Sequence, residues 1–180
     1  MFARTPRLLL RPGWPEDAAA LADAIGHEQV ARMTSRVPWP YALADAEAFL
    51  ALGSDHRYPS CLILAHGVAG DAATLVGGVS LYHAEGAVEL GYWLTPSAWG
   101  RGYATEAALA MLAHARHALG VSRVQAGHFA DNPASGRVLR KLGFTPTGTN
   151  IPYPSIARGG DAAAVRFRLD WEPVREMASA

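Results

Sequence analysis

The stretch Glu89-Leu90-Gly91-Tyr92-Trp93-Leu94-Thr95-Pro96-Ser97-Ala98-Trp99-Gly100-Arg101-Gly102-Tyr103-Ala104-Thr105-Glu106-Ala107 decides how the rest of the chain is read. Its first part alternates as a β-strand does, with Val88, Leu90 and Tyr92 on one side and Glu89, Gly91 and Trp93 on the other. A Pro- and Gly-containing turn follows. Beyond it, Ala104, Ala108, Met111, Leu112, Ala115 and Leu119 stand at offsets of zero, four, seven, eight, eleven and fifteen, which predicts a helix that buries one face and stops at Gly120. Two glycines let a ligand approach the main chain closely, and the unpaired N–H groups and dipole at the helix start favour an anion. The stretch therefore predicts a phosphate site at about Arg101 to Thr105.

Two common phosphate motifs are excluded. No Gly-Lys-Ser/Thr follows the turn, so it is not a Walker loop, and Thr105 stands where a dinucleotide fingerprint needs a third glycine or alanine.

Downstream, Ser122 to Ala130 reads as a strand that pairs in parallel with the one before the turn, as strand–helix–strand units do. Asn132-Pro133 reads as an N-cap with Pro at the first helical position, followed by Val138, Leu139 and Leu142 on one face and Gly143 as terminator. Phe144 to Thr149 and Ala164 to Leu169 are predicted as closing strands around a Pro- and Gly-containing loop from Ile151 to Gly160. Upstream, Arg7 to Arg11 reads as a first strand. Ala18, Leu21, Ala22 and Ile25 mark a helix between Pro15 and Gly26, and another runs from Leu43 to Leu52. Between them the prolines of Val37-Pro38-Trp39-Pro40-Tyr41 forbid regular helix. Ser60 to His66, Thr74 to His83 and Ala87 to Leu94 then form an antiparallel meander with turns at Gly67 to Ala73 and Ala84 to Gly86. The expected fold is a mixed α/β (α+β) single domain spanning residues 1–180, with a loose tail after about residue 172.

Half of the 180 residues are apolar, enough for a substantial core. Sixteen basic and sixteen acidic residues cancel, which argues against a nucleic-acid surface built on bulk charge. The single cysteine, Cys61, lies in an apolar strand and reads as a packing residue rather than a nucleophile. No apolar run approaches the ~20 residues that span a bilayer. The first residues lack the apolar core of a signal peptide, so a cytoplasmic protein without membrane partners is expected.

Taken together, Glu89-Leu90-Gly91-Tyr92-Trp93, the glycine turn, and Asn132-Pro133-Ala134-Ser135-Gly136-Arg137 through Lys141-Leu142-Gly143-Phe144 resemble the GCN5-related N-acetyltransferase (GNAT) superfamily. Within it the chain is similar to the RimJ/RimL-like ribosomal-protein N-terminal acetyltransferases, from Thr5-Pro6-Arg7-Leu8-Leu9-Leu10-Arg11 onward. The resemblance implies a mostly antiparallel mixed sheet with a splayed central parallel pair, helices on both faces, and acetyl-CoA as co-substrate. It places pantetheine along Tyr92, Trp93 and Leu94. It places the pyrophosphate at the turn formed by Trp99, Gly100, Arg101, Gly102, Tyr103, Ala104 and Thr105. Trp99 stands where much of the superfamily has Gln or Arg, a departure shared by the RimJ/RimL-like group.

Acetyl transfer from a thioester to an amine needs a neutral amine, donors for the oxyanion and a proton for the thiolate. Glu89, on the polar side of its strand, is the candidate base, acting directly, through water, or only by orienting the amine. Ser135 matches the serine that related enzymes are proposed to use as acid, but it equally suits a first-turn serine satisfying helix N–H groups. Tyr92 and Tyr103 are alternative donors. Asn132 matches a CoA-contacting asparagine and is also explained as an N-cap. Arg137, Arg140 and Lys141 are candidates for the 3′-phosphate or for solvated helix charge. Trp39 and Tyr41 form either a wall of the acceptor site or a plug over the core. Glu106 reads as a structural partner of the helix dipole. His114 and His117 share a helix face, but no carboxylate or cysteine stands at ligand spacing, so no metal is expected.

The leading expectation is an acetyl-CoA-dependent N-acetyltransferase acting on a protein or peptide N-terminal α-amine, as a monomer or homodimer. Its alternatives are transfer to a small amine (amino acid, polyamine or antibiotic) and a catalytically idle CoA-binding module.

Overall fold

The computed structural model describes residues 1–53, 55, 57–67, 72–84 and 86–171. The expected turns at 67–73 and 84–86 lie partly outside these residues, and the expected tail lies outside them entirely. In chain order the strands are β1 (Ala3–Arg4), β2 (Leu8–Arg11), β3 (Ser60–Ala65), β4 (Thr74–Ala84), β5 (Ala87–Leu94), β6 (Arg123–Phe129), β7 (Thr145–Ser155) and β8 (Gly160–Asp170). The helices are α1 (Ala18–Ile25), α2 (Glu28–Ala31), α3 (Leu43–Ala51), α4 (Tyr103–His117) and α5 (Pro133–Lys141).

The strands form one sheet in the order β1-β2-β3-β4-β5-β6-β8-β7. Every neighbouring pair is antiparallel except β5 and β6. That parallel pair is short. Its register covers Val88↔Val124 and Glu89↔Gln125, although β5 continues to Leu94 and β6 to Phe129. Beyond Glu89 the two strands diverge, so the β6-facing edge of Leu90 to Leu94 has no ladder partner there.

Alternation along β5 sends Leu90 and Leu94 into a core with Met111 and Leu112 of α4, Leu139 of α5, and Phe167 of β8. The opposite face packs Leu62, Leu64 and Trp93 against α1 and α3, through Leu21, Ile25, Ala46 and Leu50. Helices therefore cover both faces.

The sequence predicted a loop over Ile151 to Gly160, whereas the structure extends β7 to Ser155 and begins β8 at Gly160. Pro152 and Pro154 misled the reading. They pair with Ala163 and Asp161, and β7 is the edge strand, where a residue without an N–H is tolerated. The tip of this hairpin is fastened to the segment after α2. Ile156 N donates to Ser35 O at 3.0 Å, Ser155 Oγ to Thr34 O at 3.3 Å, and Arg158 Nε to Arg32 O at 2.9 Å. Arg158 also forks onto both carboxylate oxygens of Asp131, at 3.0 Å each. Among the described residues, no helix is long and apolar enough to cross a membrane.

Candidate active site

Strand β5 ends in a single 3₁₀ turn, Pro96–Ala98, and the chain then enters α4 through two left-handed glycines, Gly100 at φ 73° and Gly102 at φ 79°. Only glycine adopts this backbone without strain. Gly102 is the N-cap of α4, and no side chain caps the helix. The N–H groups of its first turn therefore have no side-chain cap, and N–H groups at such a helix start suit an anion. Trp99 folds back, its Nε1 donating to Leu94 O at 2.8 Å, and fixes the turn on the end of the strand. The Arg101 side chain is exposed beside it.

Arg7 was not singled out by sequence reasoning, yet it braces this turn. Its Nη1 donates to Arg101 O at 2.8 Å, its Nε to Glu106 Oε2 at 2.7 Å, and its guanidinium stacks 4.9 Å from the Tyr103 ring centre. Glu106 also accepts from Thr5 Oγ1 at 2.6 Å and Arg7 N at 3.0 Å. Burial opposes its charge, but these hydrogen bonds and the Arg7 guanidinium outweigh it and hold the carboxyl below the usual range. Glu106 is therefore a structural clamp between α4 and the segment that leads into β2.

Across the divergence of β5 and β6, Tyr92 meets the first turn of α5. Its phenol oxygen lies 2.8 Å from Ser135 Oγ and donates to Ser135 O at 3.2 Å. Asn132 Oδ1 accepts from Ser135 N at 3.2 Å, the cap that Asn132-Pro133 predicts. Burial pushes the Tyr92 phenol up to about 12, so it is protonated and able to donate near neutral pH. Tyr103, the other tyrosine considered, lies under Arg7, while Arg137 and Arg140 are exposed on α5.

Glu89, the candidate base on the polar side of its strand, is enclosed. It is 2% exposed, and Arg166 of β8 grips both its oxygens: Nη2 donates to Oε1 and Nη1 to Oε2, the latter at 3.3 Å. Tyr82 OH donates to Oε2 at 3.1 Å, and Arg166 Nη2 also reaches Gln125 Oε1 at 3.2 Å. The register explains the gathering. Tyr82 stands opposite Glu89, Glu89 opposite Gln125, and Arg166 opposite Gly127, so all four side chains share one face of the sheet. Burial opposes the guanidinium's charge, but the hydrogen bonds and charge of Glu89 prevail, and Arg166 is held above its usual range. Burial, reinforced by the Glu89 charge, drives the Tyr82 phenol far above its own.

The structure does not gather every expected site residue. Tyr41 packs in part against the core formed with α1 and α3, where burial raises its phenol to about 12, and it also lines a recess with Ala22, Asp23 and Leu43. Trp39 is 42% exposed. A recess of about 550 Å³ opens instead beside Tyr82, lined by Asp55, Arg57, Tyr58, Leu81 and His83. Cys61 is buried and hydrogen-bonds Met1 O through its thiol at 3.6 Å; burial raises it to about 11, and it is inert packing.

The acetyltransferase (GNAT) domain family matches residues 7–145. The uncharacterized N-acetyltransferase YoaA of Bacillus subtilis is 30% identical over 156 residues, which cover 83% of this chain and 85% of that protein. Among solved structures, a GNAT-family acetyltransferase from Bacillus anthracis superposes with a TM-score of 0.78 at 22% identity, covering 94% of this chain and 98% of the other. RimL, a ribosomal L7/L12 α-N-protein acetyltransferase solved in complex with coenzyme A, superposes with a TM-score of 0.77 at 18% identity, covering 95% and 98%.

Proposed function

The chain belongs to the GNAT acetyltransferase family, and from that premise we propose that it transfers an acetyl group directly from acetyl-CoA to a primary amine, in the first place a protein or peptide N-terminal α-amine. The observation that carries this reading is the divergence of β5 and β6 beyond Glu89, with an uncapped glycine-led helix start at its end. The unpaired edge of Tyr92, Trp93 and Leu94 offers backbone groups to an amide-bearing pantetheine arm. The N–H groups from Arg101 to Thr105 suit the pyrophosphate, with Trp99, Gly100 and Tyr103 shaping their cradle and Arg101 adding charge. Asn132 and Arg137, at the start of α5, complete the CoA side. Trp39 serves as an outer wall for the acceptor, and Tyr41 holds that loop to the core.

In the reaction, the amine lone pair attacks the thioester carbonyl, the C–N bond forms, the C–S bond breaks, and the sulfur leaves as a thiolate that takes one proton. Tyr92 and Ser135, hydrogen-bonded to each other at the start of α5, are the donors for that proton. Tyr92→Phe and Ser135→Ala each remove one hydroxyl. Loss of the true donor is expected to lower kcat by about 10²–10⁴-fold, read by thiol release under saturating substrates. Whichever variant retains parental turnover is not the donor.

The acceptor class follows from basicity. An α-amine has an ordinary pKa of about 7.7–8.0 against about 10.4 for lysine, so at pH 7 roughly one α-amine in ten is neutral and fewer than one lysine in a thousand. RimL, with the same fold, acts on an α-amine. The test is thiol release from acetyl-CoA with matched N-terminal peptides, lysine side-chain amines and small free amines. Preferential turnover of the peptides supports the reading, preferential turnover of a small amine replaces it with small-molecule acetylation, and CoA binding without turnover on any acceptor leaves only a binding module.

A further inference from the structure

Four side chains from four strands, Tyr82, Glu89, Gln125 and Arg166, meet at the apex of the divergence, where the last parallel pair of β5 and β6 is Glu89↔Gln125. Two glycines make the meeting sterically feasible. A Cβ on Gly127 would lie 3.2 Å from Arg166 Nη1 and 3.4 Å from its Cδ, so the arginine reaches Glu89 by lying flat across β6 at this residue. A Cβ on Gly91 would lie 3.2 Å from Tyr82 Cε1, and its absence lets the tyrosine lean onto the same carboxylate.

We infer that Arg166 is a positioning residue of the transfer reaction: it closes Glu89 into an ion pair, so that the acceptor's proton leaves to water and not to the carboxylate. The inference rests on the acetyltransferase reading above. Both carboxylate oxygens are occupied, and a proton placed on Glu89 would leave a buried guanidinium without its counter-charge. The charged and titratable groups around Glu89 are Tyr82 from β4, Arg166 from β8, Tyr153 of β7 stacked 5.4 Å from the Arg166 guanidinium, and Arg36 stacked 5.3 Å from Tyr82. Among the described residues, none of the groups bonded to or stacked on the cluster supplies a negative charge beyond the one Arg166 already balances, and the recess beside Tyr82 sets Asp55 against Arg57 and His83, so the cluster has no net field that draws in an ammonium. The acceptor therefore reacts from its neutral form. Of the two protons an ammonium loses in becoming an amide, one passes to solvent before attack and the other ends on the thiol of CoA.

The test is the pH profile of kcat/KM with two peptides of one sequence, one starting with alanine and one with β-cyanoalanine, whose nitrile makes the amine a weaker base. Below the amine's pKa the rate is expected to fall about tenfold per pH unit, with the half-maximal pH moving by the full difference between the two amines. A profile level through both amine pKa values overturns the inference, because it means an enzyme group accepts the proton from a bound ammonium. Arg166→Gln frees Glu89 and is expected to flatten the profile, while Arg166→Lys, which retains the charge, restores its slope. If Arg166→Gln lowers rate and melting temperature but keeps the parental pH profile, Arg166 is structural and the positioning role is overturned. Gly127→Ala, which displaces the guanidinium without removing it, gives the same reading should Arg166→Gln fail to fold. Absence of thiol release with every acceptor overturns the proposed function and this inference with it; turnover with a level profile overturns this inference alone.

Discussion

Arg166→Ala is expected to lower the unfolding free energy by about 3–5 kcal/mol, the cost of leaving a buried charge unpaired. Its side chain is 11% exposed and that of Glu89 2%, so water has little access to replace the lost partner. Glu89→Gln acts in the same direction from the other side. The double variant is expected to be milder than the sum of the singles, because removing both charges also removes the uncompensated one. Urea denaturation with an unchanged m-value reads the effect as a shift in midpoint. A change below about 1 kcal/mol for Arg166→Ala is the behaviour of a solvated surface pair and contradicts the enclosed arrangement.

Gly102→Val has the second large effect, this time on binding. At φ 79° a β-branched residue is a steric outlier, and the left-handed backbone costs a non-glycine residue roughly 1–2 kcal/mol. The turn relieves this by rotating its N–H groups away, and the added side chain lies against Arg7, whose Nη2 is 3.4 Å from the position of a Cβ. Acetyl-CoA affinity is expected to fall at least about tenfold, equal to 1.4 kcal/mol, while the melting temperature without ligand drops only modestly. Calorimetric titration separates the two, and an unchanged Kd removes the turn from the binding site.

The parts of this protein that were legible in its sequence are those decided locally. Glycines at positive φ, the Asn132-Pro133 cap and the period of α4 are written within a few residues of where they act, and α4 and α5 lie within a residue or two of their predicted places. Prolines gave an ambiguous signal. Pro152 and Pro154 mark a breaker in isolation, and only the position of β7 at the sheet edge makes them compatible with a strand. The acceptor side was legible in part. Strand alternation put Glu89 on the polar face, but its partners come from β4, β6 and β8, and no local pattern announces a pairing whose register is set by the whole sheet. A faint signal was present: Gly91 follows Glu89 by two residues and Gly127 follows Gln125 by two, the same-face position in each strand, where a missing Cβ admits a crossing side chain. Arg7 was missed for the same reason, since its contact with Glu106 joins residues distant in sequence.

The central claim, that the diverging strands and the glycine-led helix hold acetyl-CoA for direct transfer, is tested most directly by a crystal structure of the protein with CoA bound. The account predicts the pyrophosphate on the backbone N–H groups of residues 101–105, the pantetheine arm against the open edge of Tyr92 to Leu94, and the sulfur within reach of the Tyr92 and Ser135 hydroxyls. CoA bound elsewhere, or a thiol directed away from that pair, contradicts it.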